Sequence, residues 1–190
     1  MIDRFPEALK ELTTVLDALG IRYAVGGSLA CSMHGVFRAT DDGDLIAEIH
    51  PLQLPQLAAS LGKGWYAEVP AMQSALRAGR AFNLIHMGAA FKFDIFPATT
   101  EFHAAQLDRA EIKRLRMEGA PPCRVTTAED ILLAKLCWFR QGGEVSDRQW
   151  NDIVGLMTSN KSLDSDYLDH WAARLRVTDL LEKARTDAAH

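Results

Sequence analysis

Residues 23–48 read YAVGGSLACSMHGVFRATDDGDLIAE. A short β-type run, 21–25, stops at Gly26-Gly27-Ser28, and residues 29–34 follow as a helix that Gly35 ends. Glycines at a strand-to-helix turn let phosphate oxygens approach backbone amides, and the serine hydroxyl adds a donor. The plainer alternative is a turn with a serine cap. Asp42-Gly43-Asp44 comes next, leading into the apolar run 45–49. Residues two apart on a strand face the same way, so both carboxylates point together. They offer the hard oxygen ligands that divalent cations prefer, and two ions there could assist transfer to an attacking oxygen. An isolated match of this kind also describes a solvated acidic turn.

A third carboxylate, Asp94, interrupts FKFDIF (91–96), where Phe91, Phe93 and Ile95 share one face and Lys92, Asp94 and Phe96 the other. An unpaired carboxylate in such a strand is expensive. Lys92 is a poor partner on sequence grounds, because long lysine side chains seek water, so a metal or another cation accounts better for Asp94. Together, the glycine turn is expected to hold phosphates and the three aspartates metal.

These features resemble the nucleotidyltransferase superfamily related to DNA polymerase beta. The likeness is to small bacterial members, including nucleotidyltransferase toxins of abortive-infection systems. Its carriers are YAVGGSLACSMHG, Arg38-Ala39-Thr40, Asp42-Gly43-Asp44 and FKFDIF, and it continues into TTAEDILLAKLCWFR (126–140) and SDRQWNDIVGLM (146–157). The resemblance implies an α/β (α+β) fold with a mixed sheet flanked by helices. It also implies two magnesium ions, and transfer of a nucleoside monophosphate from a nucleoside triphosphate with release of pyrophosphate. In it, Asp42 and Asp44 ligate both ions, and Asp94 completes one site and takes the proton of the acceptor hydroxyl. Gly26, Gly27 and Ser28 hold phosphates, and Arg38 reaches the triphosphate. Lys135, within LLAKLCW, either points toward the nucleotide or snorkels from a half-buried helix. One departure stands out. The family has an apolar residue where this chain has Gly43. Either the strand begins at Asp44 with Asp42 in a loop, or activity is reduced or lost.

Working outward, 5–19 has helical periodicity with Pro6 in its first turn, and 51–61 is a second such stretch. An edge strand is expected at 65–69, and a hairpin from 81–87 and 90–96 around Gly88. Short strands follow at 112–117 and 122–125, then helices at 131–139, 146–158, 164–175 and 178–188. The chain divides into an α/β core over 1–125 and a C-terminal helical tail over 126–190, packed on the core. Trp138 and Trp150 read as core anchors, His34 as a capping or surface residue, and Asp147, Arg148 and Asp152 as helix-surface charges or an intrahelical ion pair.

With 190 residues, 48% of them hydrophobic, the chain can bury a sizeable core, and its formal charge of −4 argues against a general nucleic-acid coat. A local basic cluster (Arg109, Lys113, Arg114, Arg116 and Arg124) weakly favours RNA as acceptor over a protein side chain or a small molecule, the plainer alternative being a solvated hairpin face. Three separated cysteines, with no signal peptide or apolar run of about 20 residues, point to a reducing cytoplasmic setting without a membrane. Two functions are open. One is a magnesium-dependent nucleotidyltransferase. The other is an impaired relative acting as a nucleotide- or partner-binding regulator of toxin–antitoxin type, which Gly43 favours.

Overall fold

The computed structural model describes residues 4–37, 40, 42–115 and 119–189. Arg38 and Arg116 lie outside the described residues. In chain order the elements are α1 (Phe5–Ala18), β1 (Arg22–Val25), α2 (Gly27–Met33), β2 (Asp42–Glu48), α3 (Leu54–Leu61), β3 (Trp65–Tyr66), α4 (Val69–Arg77), β4 (Phe82–His86) and β5 (Phe91–Pro97). Then come α5 (Glu101–Arg109), β6 (Glu111–Arg114), β7 (Pro122–Val125), α6 (Ala128–Gln141), α7 (Asp147–Ser159), α8 (Ser165–Leu175) and α9 (Thr178–Ala188). The strands form one mixed seven-stranded sheet in the order β3-β4-β5-β2-β1-β7-β6. β2 runs parallel to β5 and antiparallel to β1, and β7 is parallel to β1. None of the described helices is long and apolar enough to cross a membrane.

Side-chain alternation along the two central strands decides the faces of the sheet. Gly43, Leu45 and Ala47 of β2 are buried, as are Phe91, Phe93 and Ile95 of β5. On that side Phe5 of α1 meets Phe91 with ring centroids 4.5 Å apart, and Phe93 lies 5.0 Å from Phe91 and 5.7 Å from Trp65. Aromatic pairs of this kind each add about 0.5–1.5 kcal/mol beyond their buried area. The opposite faces of the two strands carry Asp42, Asp44 and Ile46, and Lys92, Asp94 and Phe96, all half-buried. α5 packs over β1 and β2 there, while α6 packs on α2 and gathers α7 and α8.

The elements depart from the sequence reading where the apolar signal is thin. β3 is only Trp65–Tyr66, and Val69 already opens α4, a helix whose one buried residue is Met72. α5 had no expected counterpart. Its nine residues bury Phe102, Gln106 and Leu107, and its start is fixed by the Thr100 side chain accepting from the His103 amide at 3.1 Å. β2 begins at Asp42, so Asp42 belongs to the strand and not to a preceding loop.

Candidate active site

β2 and β5 are paired in register so that Asp42 stands opposite Lys92 and Asp44 opposite Asp94. The four side chains therefore share one face of two adjacent strands. Gly27 closes in on this face from the turn between β1 and α2. Its φ is +53°, and a Cβ added there would lie 1.8 Å from Asp44 Oδ2 and 2.7 Å from its Cγ. Only glycine tolerates both the conformation and the approach. The Gly26 amide donates to the Asp44 carbonyl at 2.8 Å, which locks the turn to the strand. Ser28 is buried beside it, and its carbonyl accepts from the Ser32 hydroxyl at 3.1 Å.

Burial, followed by the negative charges of Asp42 and Asp94, pushes the Asp44 carboxyl up to about 6, against the opposing pull of Lys135 and Lys92. Asp42 is steadied by the Thr40 hydroxyl, which donates to its Oδ1 at 3.0 Å. Asp94 is engaged on both oxygens. The Asn83 side-chain amide donates to Oδ1, and the Lys92 ammonium lies 2.7 Å from Oδ2. This corrects the expectation that Lys92 is no partner for Asp94. The ammonium reaches the carboxylate while the lysine side chain keeps 41% of its surface in solvent, so pairing and hydration are both met. Lys92 also lies 3.8 Å from Asp42 Oδ2. Asn83 was missed. Its only signal is a polar residue within FNLIH of β4, directly opposite Asp94.

The carboxylates of Asp42 and Asp44, with the space that Gly27 leaves beside Asp44, suit a divalent cation by donor chemistry. Among the described residues, no three His, Cys, Asp or Glu side chains stand arranged to hold a metal.

Lys135 does not snorkel to solvent. It is buried, as is Asp152, and its Nζ sits 2.8 Å from Asp152 Oδ2, joining α6 to α7. Asp152 is therefore an interhelical partner and not a surface charge. A buried lysine needs a counter-charge, and the apolar walls of LLAKLCW leave Asp152 to supply it. His34 takes the capping place of its two readings and not the surface one. It ends α2 as a cap should but is buried, with Nε2 2.7 Å from the Thr126 carbonyl.

Beyond Asp44 and Gly27 the face opens into a cleft of about 500 Å³ between the sheet and helices α5, α6 and α8. Phe96 and Trp138 form one wall, with ring centroids 5.7 Å apart, and Phe102 and Trp171 another, at 5.1 Å. Trp138 is thus a half-buried cleft residue and not a core anchor. Trp150 is likewise half-buried and donates to Asp187 at 2.8 Å. Gln106 lines the cleft from α5, 1% exposed, with its Oε1 lacking a hydrogen-bond partner among the described residues. Glu101 and Arg174, also lining the cleft, pair with each other. Of the basic cluster, Arg114 and Arg124 are exposed and Arg109 and Lys113 half-buried: Arg109 lies 3.4 Å from Glu129 and 3.8 Å over the Tyr167 ring, Lys113 lies 3.1 Å from Glu111, and Arg114 donates to the Ala120 carbonyl.

No protein-family model matches the sequence, and no curated protein matches it. Solved structures do match in three dimensions. The solution structure of the antibiotic-resistance factor ANT(2'')-Ia superposes over 100% of both chains with a TM-score of 0.56 at 13% identity. The crystal structure of ANT(2'')-Ia in complex with adenylyl-2''-tobramycin covers 90% of this chain and 96% of its own, with a TM-score of 0.54 at 15% identity. An antigenic nucleotidyltransferase-like protein from Paracoccidioides brasiliensis covers 96% and 92%, with a TM-score of 0.55 at 19% identity. With the glycine turn set against an aspartate of the central strand and matches spanning nearly the whole chain, this protein has the nucleotidyltransferase fold.

Proposed function

We propose that the protein transfers a nucleoside monophosphate from a magnesium-bound nucleoside triphosphate to a hydroxyl of a small molecule, with pyrophosphate leaving. The observation that carries this reading is the contact of Gly27 with Asp44. It brings an open glycine turn against the carboxylate face of β2 and β5, so phosphate and cation chemistry meet at one point. Asp42 and Asp44 would hold the ion, which neutralises phosphate charge and lets the pyrophosphate depart. Gly26, Gly27 and Ser28 receive the phosphates. Asp94, fixed by Asn83 and Lys92, takes the proton of the acceptor hydroxyl. Lys135 acts at a distance, its charge favouring the ionised form of Asp44.

The cleft argues for a small acceptor. About 500 Å³ is the size of a small-molecule site, and its aromatic walls suit a flat or apolar body. One of the structural neighbours was solved with an adenylylated tobramycin. The acceptor proposed is a small hydroxyl compound, with Gln106 as its buried hydrogen-bonding group. Arg114 and Arg124 are exposed on the β6–β7 hairpin and do not line this cleft. The regulator reading rested on Gly43, and packing accounts for that residue: a Cβ there would meet Phe93 at 2.9 Å and Leu29 at 3.0 Å.

The test is thermal melting with each of the four nucleoside triphosphates, with and without magnesium. A ligand at 100-fold its Kd adds about 2.7 kcal/mol to the native state. For a domain of this size that raises the Tm by roughly 5–10 °C. A magnesium-dependent rise with at least one triphosphate, absent in Asp44→Ala, is expected. No rise with any of the four refutes the assignment.

A further inference from the structure

We infer that the Lys92 ammonium stands where a second divalent ion would sit, so that the site works with one metal ion and one built-in cation. This rests on the nucleotidyltransferase reading above. Asp42, Asp44, Lys92 and Asp94 form a two-by-two array across β2 and β5, with the lysine at one corner. Its Nζ spans the opening between Asp94 Oδ2, at 2.7 Å, and Asp42 Oδ2, at 3.8 Å.

A magnesium ion shared by these two carboxylates needs oxygens at about 2.0–2.1 Å. It would therefore have to occupy the space that the ammonium already fills, and two cations do not share it. The remaining oxygen of Asp94 accepts from the Asn83 amide. Asp44 is held by neither group, and with Asp42 it forms the pair left for a single ion. Charge agrees with geometry. The three carboxylates are balanced by one ammonium and one divalent ion, before the triphosphate brings its own charge. Lys92 is a positioning residue by this argument: it fixes Asp94 and supplies a positive charge that other sites would import.

The experiment counts ions. Manganese bound per chain is titrated by electron paramagnetic resonance on the full chain, with each of the four α,β-methylene nucleoside triphosphates in turn. The wild type is expected to bind one manganese ion per chain in the nucleotide complex. Lys92→Met should bind two, and Lys92→Arg, which keeps a cation, should remain at one. The side chain is partly exposed, so both variants are expected to fold, and their melting curves verify it. Two ions in the wild type, or one in a folded Lys92→Met, overturns the inference while leaving the proposed function standing. Failure of all three proteins to retain any manganese–nucleotide complex removes the proposed function, and this inference with it.

Discussion

Replacing Gly43 by alanine tests whether the sheet is built around that glycine. A Cβ at this position would lie 2.9 and 3.1 Å from two ring carbons of Phe93 and 3.0 Å from Leu29 Cδ1. Carbon atoms pack best at about 3.5–4.0 Å, so the added methyl overlaps its neighbours by roughly 0.5–1 Å. Overpacking of this size costs about 1–3 kcal/mol. Alanine recovers roughly 0.5–1 kcal/mol by restricting the unfolded chain. The net cost is therefore about 1–2 kcal/mol, a Tm lower by roughly 2–8 °C. Phe93 is fully buried, so Phe93→Leu is destabilising by itself. It also makes room for the methyl. In the Phe93→Leu background only the Leu29 contact remains, so Gly43→Ala should cost less by about 1 kcal/mol, read as the coupling in a double-mutant cycle followed by urea unfolding. An equal cost of Gly43→Ala in both backgrounds would show that Phe93 does not occupy the space that the glycine leaves.

Other outcomes follow from the same geometry. Asp44 holds its proton to about pH 6 when folded, against 3.8 as the ordinary value, so its stabilising contribution is complete below pH 3.8 and is lost as pH rises through about 6. Asp44→Asn should accordingly exceed the wild type in stability by roughly 3 kcal/mol at pH 7.5, with the advantage gone near pH 3.5; a pH-independent difference in calorimetry contradicts this. Gly27→Ala places a methyl against the Asp44 carboxylate, and magnesium-dependent nucleotide binding should disappear while the fold, followed by circular dichroism, survives. Lys135→Met removes the ammonium that pairs with the buried Asp152 and should cost up to about 3–5 kcal/mol, part of it regained in Lys135→Met/Asp152→Leu; chemical denaturation of both variants measures it.

The part of the site legible in the sequence is the part carried by local pattern. The glycines after a short strand, two aspartates at a spacing of two and a carboxylate inside FKFDIF each announce themselves within a few residues. Their face could be assigned because strand alternation is a local rule. What escaped depends on neighbours distant in the chain. Nothing near Gly43 reveals that Phe93 fills its place, and Asn83 is an ordinary polar residue until β4 is set against β5. Lys135 and Asp152 are 17 positions apart on different helices, so neither helix alone discloses the pair. α5 was silent for another reason: with three buried residues in nine, it shows little apolar periodicity.

The parallel pairing of β2 with β5 has a consequence for how the protein matures. Partners such as Asp42 and Lys92 are fifty positions apart, and the hairpin with β4 and the helices α3 and α4 lie between them. Contacts so distant in the chain form slowly, because a long loop must close before any pairing rewards it. The carboxylate array therefore does not exist in any short fragment, and a chain caught midway through folding would present scattered acids with no affinity for a nucleotide.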